Sequence, residues 1–323
     1  MADILYIVVP CYNEEEVLPE TARRLGEKLS RLVTAGRISE KSRVLFVNDG
    51  SKDHTWEIIS SLHKKDPRFS GVDLSRNRGH QNALLAGLMT AKDRCGMAVS
   101  MDADLQDDID AIDAMVEQYE RGCDVVYGVR SSRKKDSFFK RFTAEGFYRV
   151  MNALGAETVF NHADFRLMSR RALDGLSQFT EVNLFLRGIV PMIGYRTDTV
   201  EYQRGERFAG ESKYPLKKML AFALEGVTSL SVKPLRMITG LGFLVFLVSL
   251  VMIVYNVVRW ATGNTVAGWA SLACSVWFIG GLILLSLGVI GEYTGKLYME
   301  SKARPRFLIR QVLDGESGED GGD

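Results

Sequence analysis

Cysteine is scarce in this 323-residue chain, and the four present (Cys11, Cys95, Cys123, Cys274) show neither CxxC spacing nor a framework pattern. That excludes a disulfide scaffold and a dithiol redox site and points to reduced thiols in a reducing compartment. Neither GxGxxG nor GxxxxGK[ST] occurs, which sets aside dinucleotide and P-loop nucleotide sites. The histidines, His54, His63, His80 and His162, share no ligand spacing and none is assigned to a metal. A net charge of +1 gives no global attraction to polyanions, so no nucleic-acid partner is expected. No basic n-region precedes the first strand-like run at Ile4, and no signal peptide is expected.

Long apolar runs are present instead. Residues 237–258 and 269–290 carry no charged side chain, and at the helical rise each spans about 33 Å, enough to cross a hydrocarbon core. Lys213, Lys217, Lys218, Lys233 and Arg236 precede the first run, and Lys296, Lys302, Arg304, Arg306 and Arg310 follow the second. The loop 259–268 holds one basic residue, Arg259. Basic flanks and a nearly neutral loop predict a multi-pass protein of the inner (cytoplasmic) membrane, with the first domain and both termini cytoplasmic. Trp260 and Trp269 stand where an interfacial aromatic belt belongs.

Ahead of the hairpin, β-branched runs at 5–9, 43–47, 71–74, 97–101 and 125–127 alternate with amphipathic stretches at 15–35, 55–64, 81–91 and 109–121. Strands that read as continuous apolar runs have helices on both faces. The fold class is therefore α/β: a Rossmann-like, mostly parallel sheet, then a juxtamembrane amphipathic helix and a two-helix transmembrane hairpin. The expected divisions are 1–212, 213–235, 236–292 and a cytoplasmic tail 293–323, with the sheet closing before residue 237. Ligands of such sheets bind beyond the carboxyl ends of the strands.

Past the fourth run stands Asp102-Ala103-Asp104-Leu105-Gln106. Residues i and i+2 project to one side, so Asp102 and Asp104, with Gln106 in the same period, can converge on Mg²⁺ or Mn²⁺. Two acids that merely open a helix are the competing reading. Asn48-Asp49-Gly50-Ser51 is a turn into a helix, and a carboxylate at Asp49 can accept the imide N–H of a uracil. Arg130, Arg133, Lys134, Lys135, Lys140 and Arg141, interleaved with Phe138, Phe139 and Phe142, suit an anionic membrane face.

Together, Val9-Pro10-Cys11-Tyr12-Asn13-Glu14, Val47-Asn48-Asp49-Gly50-Ser51 and Asp102-Ala103-Asp104-Leu105-Gln106-Asp107 resemble the family-2 glycosyltransferases of the GT-A fold. Within that family the resemblance is to the polyprenyl-phosphate glycosyltransferases, the group of dolichol-phosphate mannose synthase and the bactoprenol glucosyltransferases. It implies inverting transfer of a hexose, glucose from UDP-glucose first, onto polyprenyl (undecaprenyl) phosphate, feeding cell-envelope glycan modification. It also implies a homo-oligomer, as large as a tetramer. Pro10, Tyr12, Glu14, Asp49 and Asp102 would line the nucleotide pocket, and Asp102, Asp104 and Gln106 would hold the metal and diphosphate. Asp104 and Asp164 would be catalytic, Asp164 as the candidate base. Arg130, Arg141, Arg207 and Lys213 would contact phosphate or acceptor, the last two from a loop at 204–214. Asn48 departs from the Asp that many relatives carry there. UDP-N-acetylglucosamine or GDP-mannose as donor, a small processive polysaccharide synthase and a non-enzymatic membrane scaffold stay open as alternatives.

Overall fold

The computed structural model describes residues 2–131, 162–203, 205, 231–262 and 268–314. The chain divides into two units, the first holding the sheet and residues 304–323, the second holding 215–303.

In the first unit, β1 (Leu5–Cys11), β2 (Arg43–Asn48), β3 (Phe69–Leu74), β4 (Met97–Ser100) and β5 (Val125–Arg130) fall where the apolar runs predict strands. Between them lie α1 (Leu18–Thr34), α2 (Thr55–Lys65), α3 (His80–Ala91) and α4 (Ala111–Glu120). All seven residues of β1 are buried. Alternation divides them: Leu5, Ile7 and Val9 pack with Leu25, Leu29 and Ile112 of α1 and α4, while Tyr6 and Val8 pack with Leu84 and Leu88 of α3. This is a sheet with a core on each face, as the sequence predicts.

Three strands escape the sequence reading: β6 (His162–Ser169), β7 (Thr197–Tyr202) and β8 (Ile309–Leu313). Two further helices, α5 (Arg170–Ser177) and α6 (Leu186–Met192), lie between β6 and β7. The sheet order is β7-β5-β6-β4-β1-β2-β3-β8. β6 runs antiparallel between β4 and β5, and β8 runs antiparallel beside β3. An antiparallel strand starts where its parallel-running neighbour ends, so β6 brings its first residues to the carboxyl edge of β4. There Ser100 Oγ donates a hydrogen bond to the backbone oxygen of Asp164.

The expectation that the sheet closes before residue 237 is corrected by β8, which the chain supplies after the second apolar run. A buried polar chain holds it. Asn48 Nδ2 donates to Asp73 Oδ1 at 2.7 Å, and Arg310 of β8 reaches Asp73 Oδ2 at 3.0 Å and the Ser75 carbonyl at 2.9 Å. Asp73 is 1% exposed, so both partners offset its desolvation. An aspartate at 48 would face that carboxylate with a like charge, which accounts for the asparagine there.

In the second unit, α7 (Lys233–Ala261) and α8 (Trp269–Ser301) touch each other, and both are long and apolar enough to cross a membrane. Their large apolar side chains, among them Phe243, Val251, Phe278 and Leu284, are exposed. At about 1.5 Å per residue they reach ~44 and ~50 Å, beyond a bilayer's hydrocarbon core. α8 outruns its apolar stretch by three turns, carrying Glu292, Lys296 and Glu300 at i,i+4 spacing.

Arg310→Ala leaves a buried carboxylate with one partner fewer. It is expected to cost about 1–3 kcal/mol, because a buried acceptor loses a charged donor that is itself largely solvated. The midpoint of chemical unfolding, followed by tryptophan fluorescence, measures it.

Candidate active site

The carboxyl ends of β1, β2, β3 and β4 and the amino end of β6 converge on one region. Cross-loop hydrogen bonds knit its first wall. Asn13, at φ 54°, accepts from the Lys52 N–H at 2.9 Å and donates its own N–H to Ser51 Oγ at 3.0 Å. The Glu14 N–H donates to Thr55 Oγ1 at 3.0 Å, and Glu15 N–H to Asp53 Oδ2 at 3.1 Å. Pro10 is buried within β1, whereas Tyr12, just past the strand, is 42% exposed.

Asp49 has a different setting from the one its sequence position predicts. It is 2% exposed, and its carboxylate accepts the backbone N–H groups of Arg78 at 2.6 Å and Gly79 at 2.9 Å. Where a base-contacting carboxylate was expected, a clasp holds the β3–α3 loop against the β2 turn. Burial raises its pKa, and the two N–H donors oppose that rise. Gly50 permits the approach: it sits at φ +64°, and a Cβ there would meet Asn77 N at 2.5 Å.

Asp102 and Asp104 lie just past β4. Thr21 Oγ1 of α1 donates to the Ala103 carbonyl at 2.8 Å and fixes the loop, while the Gln106 N–H donates to Asp104 Oδ1 at 3.2 Å. The Gln106 carbonyl accepts the N–H of Gly205, so the segment after β7 is tied to this loop. Burial first, then the carboxylates of Asp107, Asp164 and Asp104, push Asp102 up to about 6, opposed by His80. Such crowding of like charge suits a hard divalent cation. Among the described residues no three His, Cys, Asp or Glu side chains form a closed metal cage.

Asp164 enters the site on β6, with its side chain 11% exposed. Arg166 Nη2 lies 2.7 Å from Oδ1, and Arg187 of α6 grips both oxygens, Nη2 at 3.0 Å and Nε at 3.3 Å. Burial alone would raise its pKa, but Arg187, Arg166 and His80 override that and hold it well below the usual carboxylate range. An acid so thoroughly paired is a weak proton acceptor, which tells against the base role expected for it.

His80 Nε2 stands 3.5 Å from Asp102 Oδ1 and 3.7 Å from Asp164 Oδ2. His80, Arg166 and Arg187 were missed in the sequence. His80 directly follows the polar residues 75–79 at the end of β3, and Arg166 shares a strand face with Asp164, but nothing local marks Arg187.

Arg130, expected on phosphate, has Nε 3.3 Å from Tyr202 Oη and Nη2 3.9 Å from Asp107 Oδ1. Tyr202 also donates to Asp107 at 2.6 Å. Arg141, Arg207 and Lys213, with the basic and aromatic segment at 133–142, lie outside the described residues.

Asp49→Asn keeps one acceptor where the clasp needs two. A stability loss of about 1–3 kcal/mol is expected, with weaker nucleotide binding following from the loosened loop. Calorimetric titration beside a denaturation curve checks this. Unchanged stability with lost nucleotide binding would restore the base-contact role.

Comparison with known proteins follows this geometry. The family model for glycosyl transferase family 2 matches residues 6–176, and the model for the GtrB C-terminal hairpin matches residues 233–297. The uncharacterized glycosyltransferase YkoT of Bacillus subtilis (strain 168) is 53% identical over 306 residues, covering 95% of this chain and 91% of that protein. The bactoprenol glucosyl transferase of Shigella phage SfX is 41% identical over 313 residues, covering 94% and 98%. Among solved structures, the mannosyltransferase PcManGT of Pyrobaculum calidifontis, in complex with GDP-Man and Mn²⁺, aligns over 92% of this chain and 85% of that one, at 17% identity and a TM-score of 0.44. The matched model spans β1 to β6, with the Asp102–Asp104 loop and Asp164 among them: the chain belongs to glycosyl transferase family 2.

Proposed function

We propose that this glycosyltransferase moves glucose from UDP-glucose onto a polyprenyl (undecaprenyl) phosphate at the cytoplasmic face of the inner membrane. The observation that carries the reading is the union, in one chain, of an acid-and-guanidinium cleft at the sheet edge with two exposed apolar helices of membrane-crossing length. The names of relatives about 40% identical over nearly the whole chain support glucose and bactoprenol. A polyprenyl chain leaves a bilayer at a cost of about 0.8 kcal/mol per CH₂, so the catalyst has to work where the lipid headgroup is.

Chain connectivity supports the topology. The chain leaves the sheet after β7 and rejoins it as β8, so the segment between begins and ends on the side of the sheet. Two crossings satisfy that condition and one does not. The basic flanks support a cytoplasmic position for that side.

In the reaction, an oxygen of the acceptor phosphate forms a bond to the anomeric carbon as the bond from that carbon to the diphosphate oxygen breaks. The electron pair leaves with the nucleoside diphosphate, and the anomeric configuration inverts. A phosphomonoester has its second pKa near ~6, so at neutral pH the acceptor is mostly dianionic and needs no base. That agrees with an Asp164 committed to two guanidiniums. Asp102, Asp104 and Gln106 are the residues to hold Mg²⁺ or Mn²⁺, and such an ion would neutralise charge developing on the leaving diphosphate. Tyr12 and the Asn13–Glu14 turn flank the nucleotide end, and self-association, as large as a tetramer, belongs to the same reading.

The test uses the full chain in vesicles containing undecaprenyl phosphate and radiolabelled UDP-glucose. Label is expected to enter lipid with Mn²⁺ or Mg²⁺ and to stop entering with EDTA. Asp104→Asn is expected to lower turnover at least about a hundredfold. Full transfer in EDTA would overturn the metal assignment. Transfer only from GDP-mannose or UDP-N-acetylglucosamine would overturn the choice of sugar.

A further inference from the structure

His80 is mounted more firmly than an incidental surface histidine. It opens α3, and the N–H groups of the two residues before it are both held by the Asp49 carboxylate. The next residue, Gln81, takes the Leu186 N–H on its Oε1 at 2.9 Å, and Asn82 Nδ2 donates back to the Arg78 carbonyl at 2.9 Å. The turn that carries the imidazole is thus tied to the end of β2, to α6 and to itself. The side chain is nevertheless 42% exposed, so a fixed backbone presents a ring that a ligand can reach.

Its Nε2 faces Asp102 Oδ1 at 3.5 Å and Asp164 Oδ2 at 3.7 Å. With two carboxylates before it, Nε2 is the nitrogen that carries a proton. Both separations exceed a good N–H···O bond, which is about 2.9 Å long, so the donor is committed to neither oxygen. Asp164 is already served by Arg166 at 2.7 Å and Arg187 at 3.0 Å. Asp102 is one of the residues to hold the divalent cation, which would satisfy its charge. What remains is a spare N–H flanked by acceptor oxygens.

That pairing of groups has a matching ligand chemistry. A phosphoryl oxygen can only accept, and it would meet the flanking carboxylates as like charge. A hydroxyl accepts from an N–H and donates to a carboxylate in the same place. Hydroxyls are what a hexose offers. The hexose is joined directly to the diphosphate, so its ring begins beside the groups that hold that diphosphate, Asp102 among them.

We infer that His80 binds the hexose of the sugar nucleotide, its Nε2–H donating to a hydroxyl that in turn donates to Asp102 or Asp164. The inference rests on the sugar-nucleotide donor read above, and it deepens that reading by giving the hexose a residue. Asp49, Gln81 and Asn82 are the mount that aims the imidazole.

Calorimetric titration of the full chain in vesicles with Mn²⁺, using UDP and UDP-glucose in turn, separates the hexose from the rest of the donor. His80→Leu is expected to weaken UDP-glucose at least about fivefold and UDP less than about twofold. His80→Gln, which keeps an N–H near the position of Nε2, is expected to recover most of the lost UDP-glucose affinity. Retained UDP binding certifies the fold of each variant, and should the leucine variant fail to fold, His80→Ala carries the measurement. UDP and UDP-glucose weakened alike overturn the inference, because the imidazole would then act on the cation site through Asp102. UDP-glucose affinity unchanged in the leucine or alanine variant overturns it too. So does a glutamine variant that binds UDP-glucose no better than the leucine one, which would make the ring a filler of space. A wild-type chain that binds UDP-glucose but transfers sugar to no polyprenyl phosphate overturns the functional reading, while the same titrations still decide the hexose contact. One that binds neither UDP nor UDP-glucose overturns both.

Discussion

One carboxylate shared between two guanidiniums organises this cleft. Asp164 is buried, and an isolated buried anion would be far too costly to keep charged. Arg166 beneath it and Arg187 beside it remove that cost and, in the same contacts, fix where each group points. The arrangement depends on β6 running antiparallel between β4 and β5. A parallel strand in that position would put its start, and Asp164, at the opposite edge of the sheet from Asp102.

The wall formed at the ends of β1 and β2 is built on a similar economy of polar contacts. Asp49 closes the β3–α3 loop over the β2 turn, and Gly50 lets the two backbones approach. His80, the first residue of α3, is carried to Asp102 and Asp164 by that same loop. Asp49 thereby reaches the reaction centre through structure, by placing the imidazole that stands between the two carboxylates. The wall at Asn13–Glu15 is held by Ser51, Asp53 and Thr55, so the first two strand ends are fastened to each other.

At the far edge, Asp73 joins Asn48 to Arg310 and makes the return of the chain from the apolar hairpin part of the folded sheet. The catalytic unit and the hairpin are therefore linked twice, by the exit after β7 and by the entry into β8.

Several features were legible from residues alone because their causes are local. Continuous apolar runs bounded by polar turns located β1 to β5, since a strand covered on both faces has no place for charge. Uncharged stretches of 22 residues marked α7 and α8, since only length and apolarity decide whether a helix can cross a bilayer. The polar residues after each strand marked the cleft, because a parallel sheet puts all such ends on one edge. Tertiary structure alone decided the rest. Strand order is not written in any one strand, so the insertion of β6 and the addition of β8 were invisible. Asn48 became intelligible only beside Asp73, and the clasp that Asp49 makes on the backbone of Arg78 and Gly79 came to light only once the β3–α3 loop lay over it. Arg187 carries no local signal at all: its meaning comes from Asp164, 23 residues earlier, and Gln81, more than a hundred residues earlier. Pairings over such separations are set by packing of the whole sheet, whereas periodicity and spacing report only what neighbours in the chain can do.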